Sequence, residues 1–137
     1  MTLQDRIDLL DKAIIECRSK LSGGGSDGDT VRRIAKNALK QINAEQSVIS
    51  AVESVYFERN DMGLSGGLLA TQDIRLENQR VAYRQSVQSI IDILQQERVR
   101  LKNEQQAIET KKNHRIQILT LIFSAIAAIG TLLSFIF

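Results

Sequence analysis

The chain has 137 residues, a net charge of +2, no proline and 4% aromatic residues. This length permits one small domain rather than a large multi-layer core, and the lack of proline favours long helices, so we predict an all-α fold. Three of the 18 basic side chains lie in residues 111–115, which leaves residues 1–110 with a charge of −1 and excludes the concentrated basic face of a nucleic-acid-binding protein.

Residues 1–22 are predicted to form an amphipathic helix, with Thr2 and Asp5 spaced as a capping box at its start. Its apolar side chains recur every three or four residues and form the helix 1 seam: Leu3, Ile7, Leu10, Ile14, Cys17 and Leu21. We expect this seam to pack against the rest of the chain or against a neighbouring molecule. Cys17, the single cysteine, fits a buried apolar residue better than a reactive thiol, and it excludes an internal disulfide.

Residues 23–29 contain four glycines and no apolar side chain, which predicts a flexible linker. Together with Thr30 they approach the spacing of a phosphate-binding loop. Asp29, however, stands where that loop needs lysine, and no strand precedes it, so we expect no nucleotide here. Asp27 and Asp29 alone do not supply the oxygen ligands of a calcium site.

Residues 30–112 are predicted to form a helical hairpin followed by a coiled-coil-like stalk, which with helix 1 gives a three-helix body. Helix 2 is expected from Asp29 or Thr30 to about Asn60, with an interruption at Glu45 and these residues on its apolar side: Val31, Ala35, Ala38, Ile42, Ile49, Val52 and Tyr56. Residues 61–72 combine three glycines with apolar side chains. They are either the turn of the hairpin or a mobile contact site for a membrane or partner.

Helix 3 is expected to start near Asp73 and to run on toward the C-terminus, because no glycine or proline occurs between Asp73 and Ile129. Its early apolar seam comprises Leu76, Tyr83, Val87, Ile90, Ile91 and Leu94. Residues 95–112 are more polar, with only Leu101 and Ile108 on one seven-residue track. They predict an exposed stalk or a weak coiled coil.

Residues 113–137 are predicted to be a basic flank and a C-terminal transmembrane anchor. The 22 residues 116–137 contain no charged side chain, and thirteen of them are Ile, Leu or Phe. As a helix this segment extends about 30 Å, the thickness of the bilayer hydrocarbon core. A buried core helix is the alternative, but the other segments offer only one apolar stripe each to cover it.

The residues before this anchor predict its orientation. Lys111, Lys112, His114 and Arg115 form an orientation flank, and basic residues beside a span stay preferentially on the cytoplasmic side. We therefore expect a single-pass, tail-anchored protein with a cytoplasmic N-terminal part, in a bacterial inner membrane. A role for His114 in this flank is favoured over catalysis or metal binding.

Small and hydroxylated residues follow one face of the predicted anchor, at spacings of four and three residues: Thr120, Ser124, Ala127, Thr131 and Ser134. Such a stripe lets a second helix approach closely, so we predict a membrane association face. The alternative is that the hydroxyl groups only bond to carbonyl groups of their own helix.

These patterns predict a membrane-anchored helical adaptor or scaffold that self-associates or holds another helical protein at the bilayer. The alternative function is a small membrane-active effector, of phage, toxin or defence type, whose clustered anchors permeabilise the bilayer. We expect no enzymatic activity, catalytic residue, cofactor, metal or small-molecule substrate, because no nucleophile motif or ligand cluster occurs.

Overall fold

The computed structural model describes residues 1–22, 27–57 and 69–137, with side chains from residue 76 onward in the last range. These ranges contain four helices: α1 (Leu3–Ser19), α2 (Gly28–Gln41), α3 (Gln46–Ser54) and α4 (Leu69–Ile136). No strand occurs in these ranges, and the predicted all-α fold with a long C-terminal helix is confirmed. Residues 23–26 of the predicted linker (residues 23–29) and residues 61–68 of the predicted loop lie outside the described residues. Residues 28 and 29, also assigned to the linker, are instead the first two residues of α2.

Contacts divide the chain into two compact units, Met1–Leu101 and Lys102–Phe137. We call the first unit the body. Helix α4 contributes residues to both units. It corresponds to the predicted helix 3, but it begins at Leu69, earlier than the sequence predicted, and it runs without a break to Ile136.

The start of α1 is fixed by the predicted capping box. The Asp5 backbone N–H donates to the Thr2 hydroxyl at 3.1 Å, and the Thr2 backbone N–H donates to the Asp5 carboxylate at 2.8 Å. Two of the backbone donors that a helix start leaves without partners are satisfied in this way. The hydrogen bond from the Thr2 backbone is the main reason that the pKa of Asp5 lies below its ordinary value.

The single helix 2 of the sequence-based prediction is wrong, because the chain turns between α2 and α3. Asn43 has a φ of 55°, which places it in the left-handed region that asparagine tolerates better than most residues. The Ala44 N–H then donates to the Leu39 carbonyl at 2.9 Å, and the Asn43 N–H donates to the Lys40 carbonyl at 3.1 Å. This pair of bonds is a Schellman motif, which ends α2, so that two helices, α2 and α3, stand in place of the one predicted.

The helices of the body alternate in direction. Arg98 forms an ion pair with Asp11, and the Tyr83 hydroxyl donates to the Lys20 carbonyl at 2.9 Å, so α1 runs antiparallel to α4. Lys36 and Glu53 pair at 2.6 Å across the α2–α3 hairpin. This ion pair, chiefly through its hydrogen bond, lowers the pKa of Glu53.

One hydrophobic core holds the four helices of the body together. Its contributions from α4 are Tyr83, Val87, Ile90, Ile91, Leu94 and Leu101. Leu76 was predicted to belong to this seam, but it is 53% exposed. Tyr56 was predicted to be on the apolar side of helix 2, but α3 ends at Ser54 and Tyr56 is 72% exposed.

The predicted polar stalk begins later than the sequence suggested. Leu101 is buried, and so is Glu97, whose side chain the sequence pattern assigned to the exposed stalk. The Arg100 guanidinium donates two hydrogen bonds to the Glu97 carboxylate, at 2.6 and 3.0 Å. Because this pairing compensates the carboxylate for lost water, residues 95–101 can pack in the body.

Candidate membrane anchor

One helix within the described residues is long and apolar enough to cross a membrane. It is the part of α4 from Leu76 to Ile136. The most apolar window of 18 residues in this part has a mean hydropathy of 2.3. None of that window is buried by the rest of the chain. An exposed apolar surface of this length is unfavourable in water and favourable in a bilayer, so the segment has the physical character of a span.

The predicted association face, residues 120–134, lies on this exposed helix, and all five of its residues are exposed. Thr120, Ser124 and Thr131 each donate to the carbonyl oxygen four residues earlier, at 2.8 to 2.9 Å. Ser134 donates to the Thr131 carbonyl at 2.7 Å. The hydroxyl donors are therefore satisfied within the helix, while the stripe stays sterically open for a second helix.

The orientation flank occupies the last turn of α4 before the uncharged segment. Lys111, Lys112, His114 and Arg115 are all exposed. Within the described residues, no carboxylate lies within ion-pair distance of Lys111, Lys112 or Arg115.

The helix 1 seam lies in the core of the body. Ile7, Leu10, Ile14 and Cys17 are buried, whereas Leu3 and Leu21 are partly buried and pack against the same core. Burial is the main cause of the raised pKa of Cys17, about 11, and the nearby Glu16 charge adds to it. The seam is therefore occupied by the chain's own helices.

An aromatic cluster that the sequence analysis did not predict joins the start of α2, the chain after α3 and the side of α4. The Phe57 and Tyr83 rings lie 5.9 Å apart, and the Arg32 guanidinium lies over the Phe57 ring at 5.3 Å. Arg32 also donates to the Val55 carbonyl at 2.6 Å. Phe57 is the only one of the four phenylalanines outside the uncharged C-terminal segment. This isolated position was the one sign in the sequence that Phe57 packs in the body.

A shallow groove lies between α3 and α4 in the described part of the body. Its lining consists of Ser47, Val48, Ala51, Ile93, Gln96, Glu97 and Arg100. The groove is apolar along Val48, Ala51 and Ile93, and the Glu97–Arg100 pair lies beside this apolar strip.

In the part of the chain that the structure describes, no group of three or more His, Cys, Asp or Glu side chains is arranged to hold a metal ion. No protein-family model, curated protein or solved structure matches this chain.

Proposed function

We propose that this protein is a membrane-anchored helical adaptor or scaffold. The observation that carries the proposal is the uncovered apolar segment of α4, which the chain does not bury and which matches the thickness of a bilayer. The body has a hydrophobic core of its own, so it does not need this segment in order to pack. An anchor joined to a separately packed body suits a protein that holds other molecules at a membrane.

The proposed orientation places the body on the cytoplasmic side, with a single span and a tail-anchored topology. The flank supports it, because lysine and arginine residues beside a span favour the cytoplasmic side, and those of the flank are exposed. A bacterial inner membrane is the proposed location. The proposed partners are a second copy of the chain or another helical protein. Residues 102–112, most of which are exposed, are the proposed site of a weak coiled coil.

Two features favour the adaptor over a membrane-permeabilising effector. The uncharged C-terminal segment has no ionisable side chain that would line an ion pathway. Its four hydroxyl groups donate to their own helix, and therefore do not offer free donors to a polar channel.

Membrane fractionation of the full chain and of a chain ending at Arg115 tests the anchor. The full chain is expected to stay with membranes in high salt and at alkaline pH, whereas the shortened chain is expected to be soluble and helical. Ile126→Arg is a second test within the span, because a central arginine costs about 3 kcal/mol of insertion free energy. Membrane retention of the shortened chain in high salt would contradict the assignment.

A membrane-potential dye in expressing cells separates the adaptor from the effector. An intact potential, together with specific crosslinks to itself or to a helical partner, is expected for the adaptor. Depolarisation by the full chain, lost when residues 116–137 are deleted, would instead support the effector.

A further inference from the structure

The flank lies at the depth of lipid headgroups when the uncharged segment spans the bilayer. Residues 116–136 extend about 31 Å as a helix and so fill a hydrocarbon core of about 30 Å. Arg115 is the next residue, and Lys111 lies about 6 Å further along the axis. The headgroup layer on each side of a bilayer is about 5 to 7.5 Å thick. Arg115 and Lys112 therefore fall within it, and Lys111 lies at its outer edge.

These three cations share one side of the helix. At about 100° per residue, Lys111 and Arg115 point about 40° apart, and Lys112 is about 60° beyond Arg115. All three are exposed, and none has a carboxylate partner among the described residues. The three side chains can therefore converge on the same one or two headgroups.

The acidic residues of this part of α4 lie outside the headgroup layer. Residues 110–115 contain no carboxylate, and Glu109, the nearest one, is six residues before Arg115, about 9 Å along the axis. Charges are thus sorted along the helix, with only cations at headgroup depth. A surface of this kind attracts a net negative headgroup and gives little preference to one that carries its own ammonium group.

We propose that Lys111, Lys112 and Arg115 form a binding site for the headgroup phosphate of anionic phospholipids, a proposal that rests on the membrane anchoring proposed above. The planar Arg115 guanidinium can bind two phosphate oxygens at once, and the two lysines add compact charges beside it. Each cation is expected to favour an anionic over a zwitterionic lipid by up to about fivefold at low salt. The site both holds this end of the anchor at the depth of the headgroups and gives the anchor a preference for anionic lipid.

Lipid selectivity of the full chain tests this site. The protein is reconstituted in phosphatidylcholine vesicles that contain either spin-labelled phosphatidylglycerol or spin-labelled phosphatidylcholine, and the fraction of each lipid slowed by contact with the protein is measured. We expect severalfold selectivity for phosphatidylglycerol at low salt, and we expect most of it to disappear at about 0.5 M salt, where charges are screened over a few ångströms. The variant Lys111→Gln/Lys112→Gln/Arg115→Gln should show almost none.

A matched control removes three exposed cations from the body: Lys12→Gln/Arg18→Gln/Arg33→Gln. This control should keep the selectivity, because it changes the net charge equally but leaves the flank intact. Equal selectivity in the flank variant and the parent, or equal loss in both triple variants, would overturn the proposed site while leaving the anchor intact. A full chain that fails to float with the vesicles would instead remove the anchoring on which the site depends.

Discussion

A Cβ atom on Gly28 would lie 2.6 Å from Cγ and 2.7 Å from Cδ1 of the Phe57 ring. Gly28 is the first residue of α2, and Phe57 follows the end of α3, so this contact closes one end of the α2–α3 hairpin. The ring has little freedom to move away, because Tyr83 packs beside it and Arg32 lies over its face. Glycine is therefore required here for a close approach.

Gly28→Ala is expected to destabilise the body by about 1 to 3 kcal/mol, because the added methyl group overpacks the contact with Phe57. The same change in an open helix would be stabilising by about 0.5 to 1 kcal/mol. Urea unfolding of the full chain in detergent micelles, followed by circular dichroism, measures the difference. In a Phe57→Ala background the substitution should become neutral or stabilising. An equal cost in both backgrounds would show that the ring is not the cause.

Ile14→Asp is expected to destabilise the body by about 3 kcal/mol or more, because Ile14 is 5% exposed and its replacement would bury a charge in the helix 1 seam. Its neighbour Ile15 is 66% exposed and provides a matched control. Ile15→Asp has the same chemistry and should change the free energy of unfolding by about 0.5 kcal/mol or less. Similar effects of the two substitutions on urea unfolding would mean that α1 is not packed in this orientation.

Cys17 should react slowly with a maleimide or disulfide reagent at pH 8. Its pKa of about 11, raised from 9.0 mainly by burial, lowers the fraction of reactive thiolate by about two orders of magnitude relative to the unfolded chain. Because the folded pKa is the higher one, the stability from thiol burial is complete below pH 9 and decreases as the pH rises through about 11.

Labelling rates across a urea series measure this protection and report on opening of the body. The rate should rise together with the loss of helical signal. Equally fast labelling in the absence and presence of urea would contradict the burial of Cys17. The Cys17→Ala variant should show a weaker decrease in stability between pH 9 and pH 11 than the parent, which separates the thiol from other groups that titrate there.

Periodicity predicted α1 because its apolar spacing and its Thr2–Asp5 cap agree over the whole helix. It did not predict the turn at residues 42–45, where the pattern of apolar side chains showed only an interruption at Glu45 and resumed at Ile49. The turn depends on the left-handed conformation of one residue, Asn43, and on two backbone hydrogen bonds that side-chain spacing does not encode. The prediction also continued the helical spacing beyond Ser54 and therefore chose Tyr56 as a core residue. Helix α3 ends at Ser54, however, and Phe57 packs against the core instead.

For the candidate site, the uncharged segment could be located from the sequence because length and lack of charge determine it directly. Glu97 could not be recognised as a buried residue, since its burial depends on the pair of hydrogen bonds from Arg100. The cations of the flank are visible in the sequence, but their lack of carboxylate partners among the described residues is a property of the folded helix.

The stripe of small and hydroxylated residues remains a predicted association face for the anchor. Ser124→Leu/Ala127→Leu adds bulk where a second helix must approach closely, and it keeps the segment at least as hydrophobic. We expect the variant to insert normally and to crosslink to itself less than the parent in membranes. The hydroxyl donors already bond within their own helix, so close packing, not new hydrogen bonding, is the expected source of the association.

Ile122→Leu and Ile129→Leu are the controls, since they alter side-chain shape in the same segment while conserving volume and hydrophobicity. They should leave crosslinking at the level of the parent. Crosslinking should be compared at matched expression, because association in a membrane depends on the concentration of the protein in it. If the stripe variant crosslinks as well as the parent does, residues 116–137 act only as an anchor. Self-association of the full chain would then have to use a surface other than the stripe, because the two leucine side chains prevent close packing there.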